Sequence, residues 1–95
     1  MSNFFRLLQA GDEHGVAELL RRAPGLATVV RDGLSPLHVA VRVKSLPLVQ
    51  LLLNGGADVR AENRDGRTPA EAAAAAGAAG MAALLESARA QTQID

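Results

Sequence analysis

The chain has 95 residues and no cysteine, and its ten Lys and Arg residues balance ten Asp and Glu residues. This length accommodates one domain, and the lack of cysteine excludes disulfide bonds and thiolate chemistry. Because basic residues are interleaved with acidic ones instead of forming a run, we expect no nucleic-acid partner.

One segment recurs after 33 residues: residues 32–40 read DGLSPLHVA, and residues 65–73 read DGRTPAEAA. The apolar pattern of residues 49–53 also occurs 33 residues earlier, at 16–20. A fixed period of this size indicates a supersecondary unit stacked on copies of itself. We expect a single domain over residues 1–95, with repeats at about 1–29, 30–62 and 63–90 and a frayed polar tail at 91–95.

The first repeat begins directly with a helix, for which Ser2 is the candidate N-cap, and it carries both aromatic residues, Phe4 and Phe5. We expect these rings to fill the core of an end repeat, and the alternative is an apolar docking patch. Residues 12–14 read Asp-Glu-His, and we expect the start of a second helix here, where acidic side chains complement the helix dipole, in preference to a weak metal site. The first residues lack the pattern of a signal peptide, which predicts a cytoplasmic location.

The middle repeat carries clear helix boundaries. Ser35 is a suitable N-cap, and Pro36 occupies the first helical position, where a missing N–H is harmless. Pro47 is expected to open the second helix, followed by a broad apolar face at 48–53. The glycines within 54–56 should end this helix, because glycine commonly follows a helix C-terminus.

The third repeat has the same signals for the start of its first helix, but its side chains are smaller. Thr68 and Pro69 match the start of the preceding repeat, and alanine fills 72–76. This alanine-rich segment is too short and too weakly apolar to span a bilayer, so we expect no membrane association. A thin helix suits a terminal repeat, and together with Met1 it favours a complete protein.

Residues 35–40, SPLHVA, match the motif Thr-Pro-Leu-His-x-Ala with Ser in place of Thr. Residues 49–59 look like the second helix and connecting loop of the same unit. Over about residues 2–90 the chain therefore resembles the ankyrin repeat family. The resemblance implies an all-α solenoid of three helix-turn-helix repeats with hairpin loops. It also implies that His38 forms hydrogen bonds around the Ser35 hydroxyl and nearby backbone, linking hairpins.

Ankyrin repeats bind other proteins through their hairpin tips and the concave face of their first helices. The resemblance thus implies a non-enzymatic interaction module, which we expect to be a monomer, and the alternative is an assembly subunit that self-associates through its solenoid ends. Ala75 and Ala76 would extend the surface along a helix end. When the family's binding positions are carried over to this sequence, the expected partner-binding residues are Gln9, Arg31, Asp32, Leu34, Arg42, Val43, Glu62, Arg64, Asp65 and Arg67.

Motifs for chemistry are missing from the sequence. It contains no Ser-His-acid set, no Walker loop and no paired metal-ligand motif. Gly55 and Gly56 follow a helix instead of opening one, which is the wrong context for binding phosphate. We therefore expect no enzymatic activity, no cofactor and no metal.

Overall fold

In the computed structural model, which describes residues 3–30 and 33–92, six α-helices form three consecutive pairs. No strand occurs within these ranges, which confirms the predicted all-α solenoid. A 3₁₀ helix, Pro24–Thr28, follows the first pair. The α-helices are α1 (Asn3–Ala10), α2 (Glu13–Arg22), α3 (Pro36–Arg42), α4 (Leu46–Asn54), α5 (Pro69–Ala75) and α6 (Ala79–Thr92).

The predicted caps of α3 and α5 are confirmed. The Ser35 hydroxyl accepts a hydrogen bond from the backbone N–H of His38 at 3.3 Å. The Thr68 hydroxyl accepts one from the N–H of Glu71 at 3.3 Å, and the Glu71 carboxylate in turn accepts one from the Thr68 N–H at 2.9 Å. This reciprocal pair is a capping box, which satisfies two otherwise unpaired donors at the helix start.

The start of α4 differs from the sequence prediction by one residue. Leu46 is its first residue, so Pro47 lies at the second helical position. Ser45 is the N-cap, and its hydroxyl accepts a hydrogen bond from the Leu48 N–H at 3.4 Å. Proline is tolerated at either position because the first helical N–H groups have no partner within the helix. The candidate N-cap of α1, Ser2, lies outside the described residues.

The helices pack in two rows. The first helices of the pairs, α1, α3 and α5, contact one another in order, as do the second helices α2, α4 and α6. The core lies between the rows and is continuous through all three pairs. Its buried apolar residues are Phe4, Phe5, Leu8, Val16, Leu20, Ala27, Leu37, Val39, Ala40, Val41, Leu48, Val49, Leu52, Val59, Ala70, Ala73, Met81 and Leu85.

The two aromatic rings belong to this core. Phe4 is 3% exposed and Phe5 is 8% exposed, and their rings meet edge to face with centroids 6.0 Å apart. Aromatic pairs favour this arrangement because the positive ring edge faces the negative ring surface. The expectation that Phe4 and Phe5 fill the core of an end repeat is confirmed, and the alternative of an apolar docking patch is wrong.

Two connections differ from the simplest repeat pattern. The 3₁₀ helix occupies the first connection and buries Ala27 against the core. At the other end, α6 runs to Thr92, two residues beyond the predicted end of the third repeat, and residues 93–95 lie outside the described part of the chain. None of the described helices is long and apolar enough to cross a membrane.

Candidate functional site

A groove of about 580 Å³ lies between the first helices α3 and α5 and the hairpin formed by residues 63–67, here called the second hairpin. We call this groove the central groove. Four of the ten partner-binding residues predicted from the sequence line it, namely Leu34, Arg42, Arg64 and Asp65, and so does Ala76, which was expected to extend the surface. Its full lining is Gly33, Leu34, His38, Val41, Arg42, Asn63, Arg64, Asp65, Ala72 and Ala76.

Four other predicted residues do not line the central groove. Gln9 is exposed on α1, and Glu62 is exposed just before the second hairpin. Val43 follows α3 as its C-cap, is half-buried and packs against the core. Arg67 ends the second hairpin with an exposed side chain. The remaining two, Arg31 and Asp32, lie outside the described residues.

The second hairpin is closed by Asn63. The Asn63 side-chain oxygen accepts hydrogen bonds from the backbone N–H groups of Asp65 at 2.9 Å and Arg67 at 3.1 Å. Its backbone N–H donates to the Arg67 carbonyl at 2.9 Å, and its carbonyl accepts from the Gly66 N–H at 3.0 Å. Asn favours such turns because its short side chain reaches nearby backbone amides. These bonds hold Arg64 and Asp65 at the tip.

His38 connects helix α3 to the second hairpin. Its Nε2 lies 2.8 Å from the Arg67 carbonyl oxygen, and its Nδ1 lies 2.6 Å from the Ser35 hydroxyl. Because a carbonyl only accepts, Nε2 must carry the proton, and Nδ1 then accepts from the Ser35 O–H. The hydrogen bonds that the family resemblance implied for His38, to the Ser35 hydroxyl and to nearby hairpin backbone, are confirmed.

Burial lowers the pKa of His38 below its ordinary value, although the hydrogen bond to the Arg67 carbonyl raises it. Desolvation disfavours the charged imidazolium, so the neutral ring is the favoured form. Glu71 occupies the position one period after His38 but makes a capping box with Thr68. His38 of the middle repeat thus bonds to the next hairpin, whereas Glu71, at the equivalent position of the third repeat, bonds within its own helix start.

Arg64 extends from the second hairpin to Gly33, which lies just before helix α3. Gly33 has a φ of +75°, and a Cβ atom built on it would lie only 2.5 Å from the Arg64 Cγ. Real Cβ contacts are essentially never this close, so the absence of a side chain at Gly33 makes room for the arginine stem. The contact constrains the direction in which Arg64 leaves the hairpin.

The sequence prediction missed several residues of the lining, and helical spacing identifies two of them. His38 lies four residues before Arg42, and Ala72 lies four residues before Ala76. Residues four apart lie on the same helix face, so the predicted positions Arg42 and Ala76 also point to His38 and Ala72. Asn63 is a third omission, and its signal is an asparagine placed two residues before Asp65 at a turn.

The acidic run at the start of α2 has a structural role. The Asp12 carboxylate is the N-cap of α2 and accepts a hydrogen bond from the Gly15 N–H at 3.0 Å. Among the residues that the structure describes, no group of three His, Cys, Asp or Glu side chains is placed to hold a metal ion. Asp12 therefore helps to begin a helix, as the favoured interpretation of this run had it.

A second groove, of about 740 Å³, lies on the other row, between α2 and α4. Leu46 at the start of α4 is among its lining residues and is 43% exposed. Its charged or titratable lining residues are Glu13 and His14, and no arginine lines it. Of these two grooves, only the central groove has arginines among its described lining residues, namely Arg42 and Arg64.

The fold and this repeat geometry define a class of helical repeat protein, and comparison with known proteins identifies it. The family model for ankyrin repeats, in three copies, matches residues 4–94. The chain belongs to the ankyrin repeat family. Members of this family generally serve as protein–protein interaction modules and are typically non-enzymatic.

Individual relatives include diacylglycerol kinase iota of Mus musculus, 39% identical over 75 residues, or 79% of this chain and 7% of that protein. The Neurogenic locus Notch protein of Drosophila melanogaster is 37% identical over 71 residues, or 74% of this chain and 3% of that protein. The NF-kappa-B p105 subunit of Gallus gallus is 39% identical over 66 residues, 68% of this chain and 7% of that protein. The chain thus spans a small fraction of each of these relatives.

Proposed function

We propose that the chain is a non-enzymatic module that binds another protein through the central groove and the second hairpin. One observation carries the proposal: Leu34, Arg42, Arg64 and Asp65, which the family resemblance assigned to recognition, line a single groove. Grooves that combine apolar lining with a few polar groups are typical binding sites. The family's general role as an interaction module supports this function.

The rigidity of the second hairpin favours recognition. The Asn63 side chain and the His38 imidazole both bond to its backbone, so its shape is set before a partner arrives. A preorganised surface loses less conformational entropy on binding than a mobile loop. Arg64 and Asp65 on this hairpin are therefore suited to act as polar anchors, and Leu34 supplies an apolar one.

The proposed partner is a protein, and the proposed state of the free chain is a monomer in the cytoplasm. Balanced charge disfavours nucleic acid, and the absence of cysteine from the sequence suits an intracellular setting, because small secreted domains are often rich in disulfides. The burial of Phe4 and Phe5 removes one of the surfaces on which self-association through the solenoid ends would depend. Light scattering tests this point, since a stable homodimer would favour the assembly function.

Affinity purification from the native cell tests the proposed surface. The bait proteins are the wild-type chain, the double variant Arg64→Glu/Arg67→Glu and the control Arg21→Glu/Arg22→Glu. The control residues are exposed on α2, in the other row. We expect the hairpin variant to lose the partner and the control to retain it, with at least about a tenfold difference in Kd by calorimetric titration.

Circular dichroism and thermal melting of both variants must match the wild-type chain for this comparison to apply. The exposed Arg64 and Arg67 side chains predict small effects on folding. Equal losses of affinity in the two variants would show that the central groove and second hairpin are not the binding surface.

A further inference from the structure

We propose that the central groove binds a short extended segment of the partner in which carboxylate side chains flank an aliphatic side chain. This inference rests on the proposed function and specifies the chemistry of the bound segment. Three features of the groove support it: an apolar floor with unfilled space, two arginines at its edges and an acidic group that disfavours a polyanion.

The floor of the groove is apolar and contains alanine where the preceding repeat has valine. Ala72 in α5 and Ala76, its C-cap, lie one period after Val39 and Val43, so the third repeat has smaller side chains here than the middle repeat has at the equivalent positions. Val41 contributes from α3. A volume of about 580 Å³ over this floor can take one aliphatic side chain and the backbone beside it. Burial of that side chain removes apolar surface from water.

The edges of the groove carry two exposed arginines on different elements. Arg42 is the last residue of α3, and Arg64 lies on the second hairpin. Within residues 3–30 and 33–92 neither guanidinium forms an ion pair. Arg21 on α2 differs, because it pairs with Glu18. Arginine binds carboxylates through two parallel hydrogen bonds, so each edge suits one Asp or Glu of the ligand.

The position of Arg64 is partly set before binding, because its stem packs over Gly33. A side chain held in this way loses less rotamer entropy when it captures a carboxylate. The Asn63 side-chain oxygen is already used within the hairpin, which leaves the Asn63 side-chain N–H groups for a carbonyl of an extended ligand. The edge of the groove can therefore recognise both side chains and backbone.

Asp65 distinguishes a peptide from a nucleic acid. It lines the same groove as the arginines, and exposed Glu62 precedes the hairpin. A continuous row of phosphates would bring negative charge against Asp65, whereas separate carboxylates can meet Arg42 and Arg64 and leave Asp65 opposite a backbone N–H. The arrangement thus favours an acidic peptide segment.

Fluorescence anisotropy with three labelled hexapeptide pools tests the inference. Every pool has a central Leu, Ile or Val, and the flanking positions are Asp or Glu in the acidic pool, Asn or Gln in the neutral pool and Lys or Arg in the basic pool. We expect the acidic pool to bind about tenfold more tightly than the others, with an affinity that falls as salt is raised.

Matched variants assign that preference to the groove. Arg42→Gln/Arg64→Gln should abolish the preference for the acidic pool, and Arg21→Gln/Arg22→Gln, which removes the same charge from α2, should retain it. Equal affinity for the three pools, no measurable binding, or the same loss in both variants would overturn the inference. Displacement of the acidic pool by an oligothymidylate of equal charge would also overturn it.

This outcome can be separated from that of the proposed function. If Arg64→Glu/Arg67→Glu abolishes capture of the native partner but the pools show no charge preference, the groove remains a protein-binding site and only the acidic segment is wrong. If capture is unaffected by that variant, the assignment of the central groove as the protein-binding surface is wrong as well.

Discussion

The imidazole of His38 donates a hydrogen bond to the backbone carbonyl of Arg67, 2.8 Å away and 29 residues further along the chain. The same ring accepts a hydrogen bond from the Ser35 hydroxyl at 2.6 Å. One side chain therefore completes the cap of its own helix and fixes the hairpin of the next repeat. Because that hairpin carries Arg64 and Asp65, the bond also connects the stability of the stack to the proposed binding surface.

Replacing His38 with alanine should lower the free energy of unfolding by about 1–3 kcal/mol, because it leaves the Arg67 carbonyl and the Ser35 hydroxyl without their buried partner. Urea denaturation measures the effect. His14→Ala is the matched control, since His14 is exposed at the start of α2 and its loss should change stability by no more than about 0.5 kcal/mol. Equal changes in the two variants would contradict this role for His38.

Stability should decrease on mild acidification through His38. Burial lowers its pKa in the folded chain below the ordinary value of 6.5, so the unfolded chain binds more protons between these two pKa values. The stability contributed by the neutral ring is present above pH 6.5 and is lost as pH falls through the folded-state pKa. Melting curves from about pH 8 to about pH 5 should show this decrease in the wild-type chain and a flatter profile in His38→Gln. Parallel profiles would assign the decrease to other groups.

The sequence was sufficient to predict the repeat architecture, because independent signals agree. The caps at Ser35 and Thr68, the prolines after them and the period of 33 residues all place helix starts at equivalent positions. The side chains at these helix starts accept hydrogen bonds from backbone amides only three residues away, so a short stretch of sequence is enough to identify them. The link from His38 to the next hairpin was accessible only through the family motif, because it joins residues distant in the chain.

The central groove was only partly predictable. The family resemblance placed Leu34, Arg42, Arg64 and Asp65 on the surface that forms it. Whether a position then lines a groove depends on how the neighbouring elements pack, and Val43, the C-cap of α3, is not among the lining residues. The passage of Arg64 over Gly33 depends on the packing of residues 31 positions apart in the chain, which no local pattern encodes.

Gly33→Ala and Gly66→Ala form a matched pair that measures this packing. The two glycines have φ angles of +75° and +76°, so both substitutions should incur the strain of a left-handed L-residue, about 1–2 kcal/mol. A Cβ at Gly66 meets no atom within 4 Å, whereas one at Gly33 meets the Arg64 stem. Urea denaturation should therefore show the larger loss for Gly33→Ala.

Removing the arginine stem should recover that excess loss. In Gly33→Ala/Arg64→Ala the new methyl group no longer meets the Arg64 Cγ, so the double-mutant cycle should give a favourable coupling of at least about 0.5 kcal/mol. Additive effects, or equal losses for Gly33→Ala and Gly66→Ala, would show that the Arg64 stem does not restrict the side chain at position 33.

Lys44→Gly should stabilise the chain. Lys44 lies in the turn between α3 and α4 with a φ of +57°, and one period away in each direction Gly11 and Gly77 have φ angles of +73° and +78°. An L-residue in this region is disfavoured by about 1–2 kcal/mol, part of which is offset by the greater entropy that glycine loses on folding. The net gain should be about 0.5–1 kcal/mol, measured as a shift in the urea midpoint at constant m-value.

The reverse substitution, Gly77→Lys, is the control for Lys44→Gly. A Cβ atom at Gly77 would meet no other atom within 4 Å, so the replacement tests backbone conformation without a steric clash. It should destabilise the chain by a similar amount, because the two turns share one conformation. A loss of stability in both variants would contradict this expectation. It would mean that the Lys44 side chain contributes an interaction whose free energy exceeds the cost of its backbone conformation.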